Sequence, residues 1–200
     1  MKKIVFLLIF CFTAMSLQAQ QTHVENFDDN SLGWTESQLK NRGGTAVIKK
    51  GCMIVTSKDN SKGYTSFDTH CYAPIDIKAP FEINSYVTVG DLDDDNWVGI
   101  VFNYKDSGNF YAFYFNKEGI EFARYEDNRL VGDIFQNIKW KGKYSVNCKM
   151  TLISNGDELT FKVDDIPMMN VRYMPLDYSG FGFYTCGKQK LTADKVEFIQ

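Results

Sequence analysis

The densest cluster of chemistry-bearing residues is the stretch GDLDDDNW, which carries Asp91, Asp93, Asp94 and Asp95 within five positions. Hard carboxylate oxygens this close together suit Ca²⁺, and Asp91, Asp93 and Asp95 are the candidate ligands of a structural calcium. The loop lacks the length and terminal Glu of an EF-hand, and a solvated acidic turn joining two strands is the plainer reading. Nothing else in the sequence asks for a cofactor. Nucleophilic catalysis has little support: His23 and His70 are the two histidines, and no Gly-x-Ser-x-Gly occurs. His70 and Cys71 are neighbours in an extended run, so their side chains point to opposite faces. Cys52, Cys71, Cys148 and Cys186 follow no Cys-x-x-Cys spacing. They read as buried thiols or as disulfides, with three pairings open.

A second group is spread along strands. Glu82, Asn84 and Tyr86 alternate in FEINSYVTV, and Trp97, Asn103, Tyr114 and Asn116 alternate in WVGIVFNYKDSGNFYAFYFN. Aromatic faces stack on sugar C–H groups, and amides and carboxylates bond hydroxyls, so these seven are the candidate glycan-binding residues. An ordinary half-solvated sheet face would use the same residue types.

The elements that must position them are strands. Two aromatic-rich runs flank Ser107-Gly108 and read as a hairpin, with 104 opposite 111, 102 opposite 113 and 100 opposite 115. That register sends Val98, Ile100, Phe102, Tyr104, Tyr111, Phe113 and Phe115 to the core. Trp97, Gly99, Val101, Asn103, Lys105, Phe110, Ala112, Tyr114 and Asn116 then share the opposite face. In residues 81–89, Phe81, Ile83, Val87 and Val89 face inward, and the outer face is expected to lie in one sheet with the hairpin. Further strands are expected at 22–27, 46–50, 52–57, 64–72, 119–125 and from Arg129. Trp140–Tyr144 opens another hairpin, in which Asn155-Gly156-Asp157 turns between Val146–Leu152 and Leu159–Val163. GFGFYTCG and VEFIQ close the chain. No segment has capped helical periodicity. The fold class is therefore all-β: a two-sheet antiparallel β-sandwich or jelly roll.

Met1-Lys2-Lys3 precedes a twelve-residue uncharged run and then Ala19, the pattern of a secretory signal peptide over residues 1–19. The remainder, 20–200, is expected to be a single domain that is exported to the periplasm, the cell surface or the medium. Without the two lysines of the leader, 20 basic and 25 acidic residues remain, a formal charge of −5. With no basic stripe, nucleic acid is not an expected partner. No later stretch is apolar enough to span a bilayer.

FDDNSLGW, WVGIVFNYKDSGNFYAFYF, WKGKYSVNCKMTLISNGDELTFKVDD and SGFGFYTCGKQKLTADKVEFI, in this order, resemble the concanavalin A-like lectin/glucanase superfamily. The likeness is to its laminin G-like and 3-keto-disaccharide-hydrolase-like jelly rolls. It implies an opening strand paired near the closing one, and a glycan, whether oligo- or polysaccharide, bound on the concave sheet without catalysis. A glycoside-cleaving enzyme and a protein-interaction module are the alternatives. Laminarinase-like members carry Glu-x-Asp-x-Glu or Glu-x-Asp-x-x-Glu on one strand, and neither occurs here. Asp91 and Asp95 would stand about 13 Å apart on a strand, too far for short Asp arms to converge on one glycosidic bond. No catalytic residue is assigned.

Overall fold

A computed structural model of the chain describes residues 20–37, 43–58, 66–90, 92, 95–137, 146–172 and 174–200. The expected leader, Asp91, Asp93 and residues 140–144 lie outside them. Fourteen strands are formed among the described residues: β1 (Thr22–Glu25), β2 (Gly44–Ile48), β3 (Met53–Ser57), β4 (Ser66–Tyr72), β5 (Phe81–Val89), β6 (Trp97–Asp106), β7 (Asn109–Phe115), β8 (Gly119–Glu126), β9 (Arg129–Asn137), β10 (Val146–Ser154), β11 (Glu158–Val163), β12 (Ile166–Arg172), β13 (Gly180–Cys186) and β14 (Lys190–Ile199). No described helix is long and apolar enough to cross a membrane.

The strands form two antiparallel sheets. One runs β12-β11-β10-β5-β14-β3-β2, with β1 also on β14; the other runs β4-β13-β6-β7-β8-β9. The opening strand meets the closing one, Thr22 opposite Ile199. Period-two alternation explains which side chains are inside. Phe102, Phe113 and Phe122 of the six-stranded sheet share the core with Phe161 of the other, and the Phe113 and Phe161 rings are stacked 5.2 Å apart. Trp34 plugs the core beside Phe183, ring to ring at 5.5 Å. Its indole N–H donates to Glu25, whose other carboxylate oxygen accepts from the Phe27 N–H. Local turn chemistry closes the hairpins. Asp127-Asn128 and Asp164-Asp165 both adopt the left-handed conformation that tight two-residue turns require.

The central hairpin differs from the sequence register. Phe102 pairs with Tyr111, Ile100 with Phe113 and Val98 with Phe115; only near the turn, at Asp106 and Asn109, does the expected phase hold. The break is a bulge at Asn103, which has φ of 49°. It changes the strand's phase, so Tyr104 leaves the core side and joins Val101 and Phe110 on the outer face. Val98, Ile100, Phe102, Tyr111, Phe113 and Phe115 stay on the core side, and Trp97, Val101, Phe110, Ala112 and Tyr114 on the outer face. A second departure is larger: β5 belongs to the eight-stranded sheet and the hairpin to the six-stranded one. Their outer faces lie on opposite sides of the sandwich. All four described cysteines are free thiols, Cys71, Cys148 and Cys186 buried and Cys52 partly open.

Candidate functional site on the six-stranded sheet

The outer face of the six-stranded sheet is built from alternate residues of strands that are distant in sequence. On β13, Phe181 and Phe183 point inward, which turns Gly182 and Tyr184 outward. On β8, Ile120 and Phe122 point inward, which turns Glu121, Ala123 and Tyr125 outward. Pairing then sets Tyr184 opposite Gly99 and Gly99 opposite Tyr114. A Cβ at Gly99 would collide with the Phe113 carbonyl. The bare strand at Gly99 leaves the two tyrosine rings free to meet over it, stacked at 5.2 Å. Trp97 stands edge-on to Tyr114 at 5.2 Å and to Phe135 of β9 at 6.4 Å. A second string runs His70, Tyr104, Phe110, Tyr125, with centroid spacings of 3.9, 5.7 and 4.8 Å.

Beneath these rings Val101, Ala112 and Ala123 are fully buried, so the face is a second apolar cluster rather than a half-polar surface. Tyr114 itself is only 7% exposed. Trp97, Tyr125 and Tyr184 are half-buried and Phe135 is open. The face continues toward the β6–β7 turn into a depression of about 220 Å³ lined by Lys105, Phe110, Tyr125, Glu126 and Tyr178.

Polar chemistry enters through three acids and one histidine. The Tyr114 hydroxyl donates to Glu121 Oε1 at 2.7 Å. Burial pushes the Glu121 carboxyl up, and Asp133 on β9 adds to the rise, while the Tyr114 hydroxyl opposes it. Burial likewise pushes Tyr114, Tyr125 and Tyr104 up, so all three phenols stay neutral. At the β4 side His70 Nδ1 lies 3.6 Å from Asp68, and its Nε2 lies 3.3 Å from Thr35 Oγ1.

The structure divides the seven candidate residues. Trp97 and Tyr114 share this face. Asn103 Oδ1 accepts from the Asp177 and Tyr178 N–H groups, and Asn116 Oδ1 accepts from those of Glu118 and Gly119. Both asparagines hold loops in place. Glu82, Asn84 and Tyr86 are on the far side of the sandwich, where Thr151 donates to Asn84 and Asn84 to Glu82. There Tyr86 donates to Glu197 and lies under the Lys195 ammonium. Of the proposed calcium ligands, Asp95 is described and is exposed. Sequence reading missed Tyr184, Tyr125, Glu121 and Asp133. The alternation GFGFY and GIEFARY carried the outward phase of the first three, but not which strands would lie side by side.

No protein-family model and no curated protein sequence matches this chain. Solved structures do resemble it. An endo-acting O-glycanase of the human gut microbiota that initiates mucin breakdown has a TM-score of 0.60 at 10% identity, over 88% of this chain and 98% of the other. The catalytic domain of an endo-1,3-β-glucanase (laminarinase) from Thermotoga petrophila has a TM-score of 0.59 at 11% identity, over 91% and 98%. The CBM2 module of the evolved Dit of Lactobacillus casei BL23 phage J-1 has a TM-score of 0.56 at 12% identity, over 90% and 96%. The fold is the concanavalin A-like jelly roll.

Proposed function

We propose that this chain is an exported carbohydrate-binding jelly roll that holds a glycan on the outer face of its six-stranded sheet without cleaving it. The observation that carries the reading is the aromatic layer of Trp97, Tyr184 and Tyr125 beside Glu121, a set of ring faces with an adjacent hydrogen-bond acceptor. Sugar rings are bound by such faces through their C–H groups, while carboxylates orient hydroxyls. The known structures with this fold include both glycan-cleaving and carbohydrate-binding proteins, which supports the substrate class. Tyr114 serves as the scaffold beneath Trp97 and Tyr184.

Binding is favoured over cleavage because the middle strands β6 and β7 present Gly99, Val101, Ala112 and Tyr114 to this face, and its neighbouring acids, Glu121 and Asp133, stand together at one side on β8 and β9. Glycoside hydrolysis needs two carboxyl groups about 5–10 Å apart across one bond. The enzyme alternative draws on Glu121, whose raised carboxyl is the state a general acid requires, with Asp133 on the neighbouring strand as the second carboxyl group. One experiment separates them. A glycan array on the folded protein, followed by reducing-end release assays on each bound glycan, should give binding without release. Trp97→Ala and Tyr184→Ala should remove binding while leaving the far-UV spectrum unchanged. Release of reducing ends that is lost in Glu121→Gln would establish the enzyme instead, and an empty array would end the carbohydrate reading.

A further inference from the structure

Charge on the two outer faces is distributed unequally. On the eight-stranded sheet two carboxylates have cations beside them: Lys149 meets Asp165 at 2.6 Å and Lys195 meets Glu197 at 2.8 Å. At the centre of the six-stranded sheet's outer face the charged side chains, among the described residues, are Asp68, Glu121 and Asp133, while Lys105 and Glu126 lie toward the β6–β7 turn in the depression beside Tyr125. Asp68 has His70 beside it. Among the described residues Glu121 has a neutral donor within hydrogen-bond distance, the Tyr114 hydroxyl, and a second acid on the neighbouring strand. A half-buried carboxylate in this setting is held short of positive charge. Burial raises the Glu121 carboxyl, and the neighbouring Asp133 adds to the rise.

The surroundings of that deficit are π-faces. Trp97 and Tyr184 flank Tyr114, and Tyr125 follows Glu121 on the same face of β8. Aromatic faces attract ammonium groups, more strongly where water is partly excluded. A ligand bearing an ammonium would therefore gain from the rings and the carboxylates together. A ligand bearing carboxylate or sulfate groups beside Trp97 and Tyr184 would meet the two like charges of Glu121 and Asp133.

We infer that the glycan this face selects carries free amino groups, a glucosamine-type saccharide in its protonated form, and that uronate-containing and sulfated glycans are rejected. The inference rests on the carbohydrate reading and names its substrate class. Glu121 and Asp133 are the residues that set the preference, and Trp97 and Tyr184 supply the stacking common to all sugars.

The test is isothermal titration of the folded protein with three tetramers of equal length: β-linked glucosamine, its N-acetylated counterpart and a uronate. At about pH 6, where the amines are protonated, the glucosamine tetramer should bind at least about tenfold more tightly than the acetylated one, equivalent to about 1.4 kcal/mol. The advantage should shrink with added salt and in Glu121→Gln. Asp133→Asn, an exposed change that does not disturb the Tyr114 contact, should reduce it too and guards against misfolding of the Glu121 variant. Equal or tighter binding of the acetylated tetramer, or preference for the uronate, would overturn the inference and leave the carbohydrate reading intact. Binding of none of the three would overturn it as well, and the wider reading would then stand or fall on the glycan array.

Discussion

Replacing Tyr114 by Phe removes one oxygen atom and keeps the ring between Trp97 and Tyr184, so its effect isolates a single hydrogen bond. That bond runs 2.7 Å to a half-buried carboxylate. Hydrogen bonds to charged groups contribute about 1.5–3 kcal/mol, and the partial exposure of Glu121 places this one toward the lower end, at about 1.5–2 kcal/mol near pH 7. In a domain of this size a loss of about 2 kcal/mol lowers Tm by about 4–8 °C. The pH dependence follows from the direction of the shift. Folding raises the Glu121 carboxyl, so the ionised form is disfavoured in the native state above its folded pKa. That penalty is relieved as pH falls through the folded value toward the unfolded one, because the native state then binds the extra proton. Removing the hydroxyl, which holds the carboxyl down, raises it further. The deficit of Tyr114→Phe should therefore be full at about pH 7.5 and shrink toward pH 5. Urea midpoints of both proteins at the two pH values measure it. A deficit that stays constant or grows on acidification would show that ionised Glu121 is not the partner, and the charge argument for the face would go with it.

Two further outcomes test the core and the thiols. Phe113→Ala, at a fully buried ring touching Phe102, Phe122 and Phe161, should cost about 3–5 kcal/mol in urea melts, whereas Trp97→Ala, half-exposed, should cost much less. If the order is reversed, the two faces of the hairpin have been exchanged. Alkylation followed by mass mapping should label Cys52 first in the native protein, because its sulfur is partly open whereas Cys71, Cys148 and Cys186 are buried, with burial pushing the Cys148 thiol up to about 12. All four should label in denaturant without reductant, and protection of any pair there would mean a disulfide.

Much of this architecture was legible in local pattern. Alternation in FEINSYVTV and FYAFYF, Asn-Gly between two alternating runs, and the outward-inward phase of each strand need only the period of two that a pleated backbone imposes. Hence the all-β class and most hairpin faces follow from the chain itself. What alternation cannot carry is which strands become neighbours. β5 and β6 are consecutive, yet they enter different sheets, because the long-range pairing of β5 with β10 and β14 wins over its neighbour in sequence. That single choice puts Glu82, Asn84 and Tyr86 on one side of the sandwich and Trp97 and Tyr114 on the other. The bulge at Asn103 was equally hidden. Its left-handed backbone is held by two N–H groups that arrive from residues 177 and 178, and only their arrival turns Tyr104 outward. The meeting of Tyr184, Tyr114 and Glu121 belongs to the same class. Each residue's outward phase was written in its own strand, while their contact exists because β13, β6, β7 and β8 pack side by side, a decision made by the burial of the whole core.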